Sequence, residues 1–225
     1  MSAFVVAVDG PAGSGKSSVS KAAARELGFA YLDTGAAYRA VTWHVLNSGA
    51  DLESEASIVS ALDSFAYACG TDPDAVTFSV DGVDVTDAIR EQNVTGAVST
   101  VARVPAVRSH VNSVFHSIID STDRPGIIVE GRDITTVVAP DAPVRILLTA
   151  SEEARASRRA AELPATTEIA AEATAAALKA RDKADAKVSE FMVAADGVAT
   201  VDSTDLTYEE TIAAVVGLIR AGGAQ

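Results

Sequence analysis

Residues 10–17, with the sequence GPAGSGKS, fit the pattern G-x-x-x-x-G-K-[ST]. Glycines at this spacing let the backbone wrap closely around an anion, with its N–H groups pointing inward. Lys16 can reach the β- and γ-phosphates of a nucleotide, and the Ser17 hydroxyl can ligate Mg²⁺. We therefore expect a site for ATP with Mg²⁺. Its predicted contacts are Gly10, Pro11, Ala12, Gly13, Ser14, Gly15, Lys16, Ser17 and Ser18.

A second group of polar residues follows the next predicted strand, in the run LDTGAAYR. Ligands of a parallel sheet collect beyond the carboxyl ends of its strands. Asp33, Thr34 and Arg39 are therefore expected at the same edge as the phosphate loop. A guanidinium matches two phosphate oxygens at once, so Arg39 is a candidate phosphate clamp. The alternative is an exposed helix arginine.

The run EGRD at 130–133 ends a third predicted strand, again at the ligand edge. Arg132 could bind phosphate there while Asp133 accepts donor groups of the same ligand. The alternative is a local salt bridge with no ligand.

Further cations cluster later in the chain. Arg155, Arg158 and Arg159 share one predicted helix, and spacings of three and four residues make 155 a neighbour of 158 and 159. More charges follow at 181–187. Such a cluster in an acidic protein is a candidate for anion binding, and the alternative is a solvated pair of charged helices.

The elements that position these residues alternate between short apolar strands and helices. Strands separated by helices imply parallel pairing in a sheet covered by helices. The strands are predicted at 4–8, 29–32, 127–129, 144–148 and 198–201, and the helices at 17–27, 34–47, 54–67, 87–101, 105–120, 151–163, 167–183 and 208–221.

A predicted hairpin interrupts this alternation. The runs at 76–80 and 83–86 alternate in polarity around Asp81-Gly82, a turn pair typical of hairpins. The regions at about 50–120 and 152–190 depart from the strand–helix pattern. We expect them to be mobile parts that cover substrates.

The composition limits the class of partner. The chain has 225 residues, 48% of them hydrophobic, and a net charge of −13. This size suits one core with inserted parts, and the acidic balance argues against a nucleic acid polymer as partner. A single cysteine, Cys69, suits a reducing cytoplasm, and no segment is typical of a signal peptide or a membrane span. These features predict a cytoplasmic protein without a membrane partner. Since no coiled-coil pattern or broad apolar stripe appears, we expect a monomer.

Several classes of nucleotide-binding protein fit the phosphate loop. A GTPase switch needs an Asn-Lys-x-Asp run, and no asparagine in this chain is followed by lysine. The length argues against a large motor or transporter. A small-molecule kinase fits best, because such enzymes pair this loop with a second pocket and a lid.

Six runs together resemble the cytidylate kinase family, the bacterial CMP kinases. Many kinases share the first run, whereas DTGAAYR together with EGRDITTVVAPDA is far more specific. The runs spread over residues 9 to about 189 and are DGPAGSGKSS, LDTGAAYRAV, VSTVARVPAVR, VEGRDITTVVAPDA, RASRRAAEL and ARDKADAKVS.

The resemblance implies an α/β fold of the three-layer P-loop NTPase type. It implies a five-stranded parallel sheet, a small antiparallel insert in the monophosphate-binding region and a helical lid. The whole chain, 1–225, would be one kinase unit. Its core would comprise 1–48, 121–151 and 191–225, with the insert at 49–120 and the lid at 152–190.

The resemblance also implies roles for individual residues. Ser99, Arg108 and Asp133 match the set that reads cytosine, whose amino donor and ring acceptors suit a carboxylate with donors. The residues expected to bind CMP are Thr34, Arg39, Ser99, Arg108, Arg132, Asp133, Arg181, Asp185 and Lys187. The residues expected to be catalytic are Lys16, Arg132, Arg155, Arg158 and Arg159.

One position departs from the family pattern. The family commonly has an arginine shortly after Asp185, and this chain has Lys187 in a shortened register. Lysine keeps the charge but loses the bidentate fork, so the role of Lys187 is open.

The expected reaction is transfer of the γ-phosphoryl group of MgATP to CMP or dCMP. Ser17 would be the direct Mg²⁺ ligand, with Asp9 and Asp33 acting through water. Two alternatives stay open: a kinase for another nucleoside monophosphate or small metabolite, and a protein that binds ATP without turning over an acceptor.

Overall fold

The computed structural model describes residues 3–161, 176, 179–180, 182–186, 189 and 191–223, except for the side chain of Arg159. The chain divides into two compact units. The first consists of residues 1–31 and 124–225, and the second of residues 32–123. The predicted insert at 49–120 lies inside the second unit.

The described residues form strands and helices in the following order. The strands are β1 (Phe4–Asp9), β2 (Ala30–Asp33), β3 (Tyr67–Cys69), β4 (Phe78–Val80), β5 (Val83–Asp84), β6 (Gly126–Gly131), β7 (Val144–Thr149) and β8 (Ala199–Asp202). The helices are α1 (Lys16–Leu27), α2 (Thr34–Asn47), α3 (Glu55–Ala61), α4 (Gln92–Ala102), α5 (Pro105–Ser121), α6 (Glu152–Ala161) and α7 (Tyr208–Ala221).

The larger sheet has five strands in the order β2-β6-β1-β7-β8. Strand β1 pairs in parallel with β6 on one side and with β7 on the other, and β7 pairs in parallel with β8. Every residue of β6 is buried, as expected for a strand that helices cover on both faces. The predicted α/β class and the five-stranded parallel sheet are therefore confirmed.

Helix α1 joins the phosphate loop to the second strand. It begins directly after Gly15, whose φ of 86° lies in the left-handed region. It ends at Gly28, where φ is 68° and the backbone N–H contacts the carbonyls of Ala24 and Arg25. Both ends agree with the prediction, because glycine is the residue that adopts this conformation without strain.

The second unit contains the predicted hairpin and one strand that the sequence did not indicate. Strands β4 and β5 flank Asp81-Gly82, and β3 pairs antiparallel with β4. The helix expected over 54–67 ends instead at Ala61. The Phe65 and Tyr67 rings stack with centroids 6.2 Å apart. Side chains two residues apart share a face in extended chain but not in a helix, so this stacking favours the strand.

Gly126 offers a test of packing between a strand and its neighbour. A Cβ atom at this position would lie 2.5 Å from the buried ring of Phe29. We expect Gly126→Ala to lower the free energy of unfolding by about 1–3 kcal/mol, or the Tm by about 3–10 °C, because the ring must shift. Thermal unfolding measures the effect. Gly96→Ala is the control, since nothing lies within 4 Å of a Cβ there. Equal losses in the two variants would contradict the prediction.

Candidate active site

The predicted phosphate loop connects the end of β1 to the start of α1. Gly13 and Gly15 have φ angles of 77° and 86°, which turn the backbone back toward the helix. The first N–H groups of a helix have no partner within the helix, and the helix dipole is positive at this end. All nine residues predicted to contact ATP lie in this loop or in the first turn of α1. The segment is therefore suited to bind an anion.

Glu130, near the end of β6, is a site residue that sequence analysis did not single out. Its side chain is 3% exposed. Its Oε1 accepts hydrogen bonds from Ser17 Oγ at 2.5 Å and from Tyr31 Oη at 3.0 Å, and its Oε2 lies 3.8 Å from Lys16 Nζ. The parallel pairing that sets Val8 opposite Glu130 brings this carboxylate to the loop. The sequence did contain a signal for this residue, because Glu130 is an acidic residue near the end of a predicted strand, at the expected ligand edge of the sheet.

Three arginines contact backbone carbonyl groups of the phosphate loop. Arg132 donates to Gly10 O, Arg155 Nη1 donates to Ala12 O at 2.9 Å, and Arg158 Nη1 lies 3.5 Å from Ser14 O. The three acceptors are alternate residues of the loop. We call Arg132, Arg155 and Arg158 the arginine bracket. The structure thus brings three of the predicted catalytic arginines to the loop.

Two carboxylates on one helical turn contact the arginine bracket. Asp185 Oδ2 accepts from Arg132 Nε at 3.1 Å, and Asp182 Oδ2 accepts from Arg155 Nη1. Asp182, which sequence analysis did not select, also accepts from the backbone N–H of Ala12 at 3.0 Å. The predicted residues Arg181 and Lys187 lie outside the described residues, as does the side chain of Arg159.

Asp133 begins a π-helical turn, Ile134–Val138, that the sequence did not predict. Asp133 itself is buried. Asp9 fixes the start of this turn, because its Oδ1 accepts from the N–H of Ile134 at 2.9 Å. Its Oδ2 accepts from the N–H and the hydroxyl of Thr135 at 2.8 and 2.7 Å.

Asp9 is buried and has hydrogen-bond partners that the sequence did not predict, and its contact with Mg²⁺ through water stays a prediction. The residue is 1% exposed, and both of its carboxylate oxygens accept hydrogen bonds from the turn that follows Asp133. Burial raises the pKa of the Asp9 carboxyl above its ordinary value of 3.8, and the hydrogen bonds from Thr135 and Ile134 oppose this shift. Asp9 therefore binds the first two residues of the turn that follows Asp133.

The raised pKa of Asp9 predicts a pH dependence of stability. The folded protein binds this proton more tightly than the unfolded chain, so the contribution of Asp9 is complete below pH 3.8. It is lost as the pH rises through the raised pKa. We expect the free energy of unfolding of the wild type, minus that of Asp9→Asn, to fall as the pH rises above 3.8. Urea unfolding at several pH values measures it. A difference that stays constant or rises would refute the assignment.

The second unit holds the other predicted acceptor-binding residues. Arg39 on α2 donates from Nη1 to Thr95 Oγ1 at 2.7 Å and lies 3.4 Å from Ile89 O. The Arg108 guanidinium lies over the Tyr38 ring, 5.9 Å from its centroid, so α5 and α2 bring Arg108 close to the residue before Arg39. Ser99 is half-buried on α4.

Asp33 and Thr34 stand at the start of α2. Asp33 Oδ1 accepts from the N–H of Ala36 at 2.9 Å and caps the helix. Thr34, the first helical residue, is buried. The contact of Asp33 with Mg²⁺ through water stays a prediction.

A parallel sheet whose first strand leads through a glycine-rich loop into a helix, with a lysine and a serine at the helix start, defines a P-loop nucleotide-binding enzyme. The comparison with protein families narrows this class. The profile of the family described as Cytidylate kinase matches residues 6–221. The chain belongs to the cytidylate kinase family, as the sequence motifs indicated.

Individual relatives agree with the family. The cytidylate kinase of Streptomyces avermitilis is 46% identical over 218 residues, which cover 96% of this chain and 93% of the relative. That of Streptomyces coelicolor is 47% identical over 225 residues, which cover 98% and 95%. A solved structure, TT1252 from Thermus thermophilus, covers both chains fully with a TM-score of 0.54 at 17% identity and supports the fold alone.

No helix among the described residues is long and apolar enough to cross a membrane. In the same part of the chain, no group of three or more His, Cys, Asp or Glu side chains could hold a metal ion.

Proposed function

We propose that this nucleoside monophosphate kinase transfers the γ-phosphoryl group of ATP to CMP and dCMP, with CDP or dCDP and ADP as products. The observation that carries the proposal is the phosphate loop with Lys16, Ser17 and Glu130 in contact, in a chain of the cytidylate kinase family. A phosphate oxygen of the acceptor forms the new P–O bond, and the bond from the γ-phosphorus to its bridging oxygen breaks. No covalent enzyme intermediate is needed.

The chemistry requires that two anions be brought together and their charge neutralised. Lys16 at the start of α1 would bind the β- and γ-phosphates. The arginine bracket sits on the loop that binds them, and its guanidinium groups are candidates to stabilise charge on the transferring group. We further propose that the region at 152–190, which carries Arg155 and Arg158, acts as the lid that excludes water.

The residues of the loop suit Mg²⁺. This ion prefers oxygen ligands and is usually held by few protein groups together with substrate phosphates and water. The Ser17 hydroxyl donates a hydrogen bond to the buried Glu130, so the lone pairs of Oγ remain available to a cation. We propose Ser17 as the direct ligand, with Glu130 orienting it. When bound, Mg²⁺ would neutralise charge on the β- and γ-phosphates.

For the acceptor we propose the residues that the family resemblance implies. Ser99, Arg108 and Asp133 would read the cytosine edge, and Thr34 would lie near the nucleotide. Arg39 and Arg132 would hold the CMP phosphate. Arg181 and Asp185 would contact the ribose, and Lys187 would take the place of the family arginine.

The test of the proposed function is ADP release from MgATP with CMP, dCMP, UMP, AMP and GMP offered separately. We expect strong turnover with CMP and dCMP, weak turnover with UMP and none with the purine nucleotides. Equal rates with all five would leave a monophosphate kinase without a cytosine reader. No release with any of them would favour a metabolite kinase or an ATP-binding protein without an acceptor.

Asp133→Ala separates base recognition from phosphoryl transfer. If the Asp133 carboxylate accepts from the amino group of cytosine, its removal leaves that donor unpaired, and the site no longer favours CMP over UMP. We expect kcat/KM for CMP to fall about 100-fold while the smaller activity with UMP changes less than about threefold. Steady-state kinetics with both nucleotides measure this ratio. A uniform loss for both would remove Asp133 from base recognition.

A further inference from the structure

Asp182 lies where the phosphate loop and the arginine bracket meet. Its carboxylate accepts from the N–H of Ala12 at 3.0 Å and from Arg155 Nη1. Its Oδ1 is also 3.8 Å from Arg132 Nη2. The residue is buried, with 7% of its surface exposed. One side chain thus contacts the loop backbone and two of the three bracket arginines.

Asp182, Arg155 and the backbone of Ala12 are each hydrogen-bonded to the other two. Arg155 Nη1 donates to the carbonyl of Ala12 as well as to Asp182, and Asp182 accepts from the N–H of Ala12. Both backbone polar groups of Ala12 are therefore tied to this pair. Beside it, a Cβ at Gly13 would lie 3.1 Å from the Arg155 carbonyl oxygen and 3.2 Å from its Cβ, so the loop has no room to move toward α6.

The charge at this position is the opposite of what binds a phosphate. A carboxylate beside a nucleotide phosphate repels it, so Asp182 does not act as a direct phosphate ligand. A buried carboxylate with three donors around it instead fixes the orientation of its partners. Those partners are the loop that is suited to bind phosphates and the arginines proposed to stabilise the transferring group.

We propose that Asp182 is a positioning residue for phosphoryl transfer. It holds the phosphate loop and the guanidinium groups of Arg155 and Arg132 in one fixed geometry and does not contact the substrates. This inference rests on the proposed function for its effect on turnover. Its structural part, the tether between Asp182 and the loop, holds independently of the acceptor.

Two variants separate the contributions. Asp182→Ala removes both the acceptor for Ala12 N–H and the charge that orients the arginines. Asp182→Asn has the same shape and keeps one acceptor for Ala12 N–H, but it loses the charge and puts an NH2 group in place of the oxygen that accepts from Arg155. Glu26→Gln is the control, because it removes the charge of an arginine–carboxylate pair at the surface. Glu26 pairs there with Arg220, and the two side chains are 46% and 59% exposed, respectively.

The first measurement is steady-state kinetics with MgATP and CMP, with turnover expressed per nucleotide-binding site from a titration with a fluorescent ADP analogue. We expect kcat to fall about 100-fold in Asp182→Ala and about tenfold in Asp182→Asn, since small misplacements of reacting groups have effects of this size. KM for MgATP should stay within threefold of wild type or decrease. Loss of a phosphate-binding residue would raise it.

The second measurement is amide hydrogen exchange of the peptide that contains Ala12, without nucleotide. We expect exchange at least about tenfold faster in Asp182→Ala than in wild type or Glu26→Gln, because the N–H loses its acceptor. An unchanged exchange rate, or an unchanged kcat per binding site, would overturn the proposal. If wild type turns over no monophosphate, the proposed function has failed, and the exchange rate alone decides whether the tether exists.

Discussion

Replacement of Lys16 by alanine is expected to lower kcat with MgATP and CMP by about 1000-fold, because a preorganised charge at the transferring group is lost. The side chain is suited to this role by its position at the start of α1 and by Glu130 Oε2, which lies 3.8 Å from Nζ. In the variant, Glu130 keeps its hydrogen bonds from Ser17 and Tyr31. The fold should therefore persist while turnover is lost. Stopped assays of ADP formation measure the rate.

Lys21→Ala is the matched control for Lys16. Both lysines lie on α1, but Lys21 Nζ sits over the Tyr31 ring, 5.3 Å from its centroid, one turn beyond the phosphate loop. We expect this variant to retain kcat within about threefold, because a cation–π contact contributes only about 1 kcal/mol to stability. If the Lys16 variant keeps near-normal turnover, Lys16 has no part in the mechanism.

The phosphate loop, the sheet and the hairpin could be predicted because each depends on local sequence. The loop follows a strand and precedes a helix that Gly28 ends, and these signals lie within about two dozen residues. The five strands are short apolar runs bounded by turn residues. The Asp81-Gly82 pair predicts a hairpin turn. Asp81 has the positive φ angle, 53°, that turns of this kind require.

The remaining features depend on contacts between distant parts of the chain. Glu130 is 113 residues from Ser17 and Asp182 is 170 residues from Ala12, so no spacing rule connects them. Strand β3 was not predicted, because the helical sequence pattern of α3 continues to its first residue. Its strand conformation depends on the pairing of Tyr67 with Val80.

Asp9 has partners that its position in the sequence did not indicate. The sequence placed it at the carboxyl end of β1, beside the loop, where a carboxylate could approach Mg²⁺ through water. In the structure its oxygens accept from Ile134 and Thr135, more than 120 residues away. A π-helical turn has no simple sequence signature, so the donors that hold Asp9 could not be foreseen.

Gly10→Ala is expected to remove most of the activity. Unlike Lys16→Ala, it would act by displacing the backbone of the phosphate loop. A Cβ at Gly10 would lie 2.1 Å from the carbonyl oxygen of Leu148 and 3.1 Å from Ser14 Oγ. The Leu148 carbonyl belongs to β7, which pairs with β1 along Val6–Asp9, so it cannot move without loss of sheet pairing. The loop must therefore shift, and its N–H groups would no longer converge on one anion.

We expect Gly10→Ala to weaken ATP binding and to lower kcat/KM at least 100-fold, since a displacement of about 1 Å has this effect on reacting groups. The clash should also lower the free energy of unfolding by about 1–3 kcal/mol. Gly217→Ala is the control, because nothing lies within 4 Å of a Cβ there and α7 gains helix propensity, worth about 1 kcal/mol of added stability. Calorimetry with ATP and thermal unfolding of both variants compare the two effects. Normal ATP affinity in Gly10→Ala would mean that the loop tolerates the shift and that close contact of its backbone with the nucleotide is not what binds the phosphates.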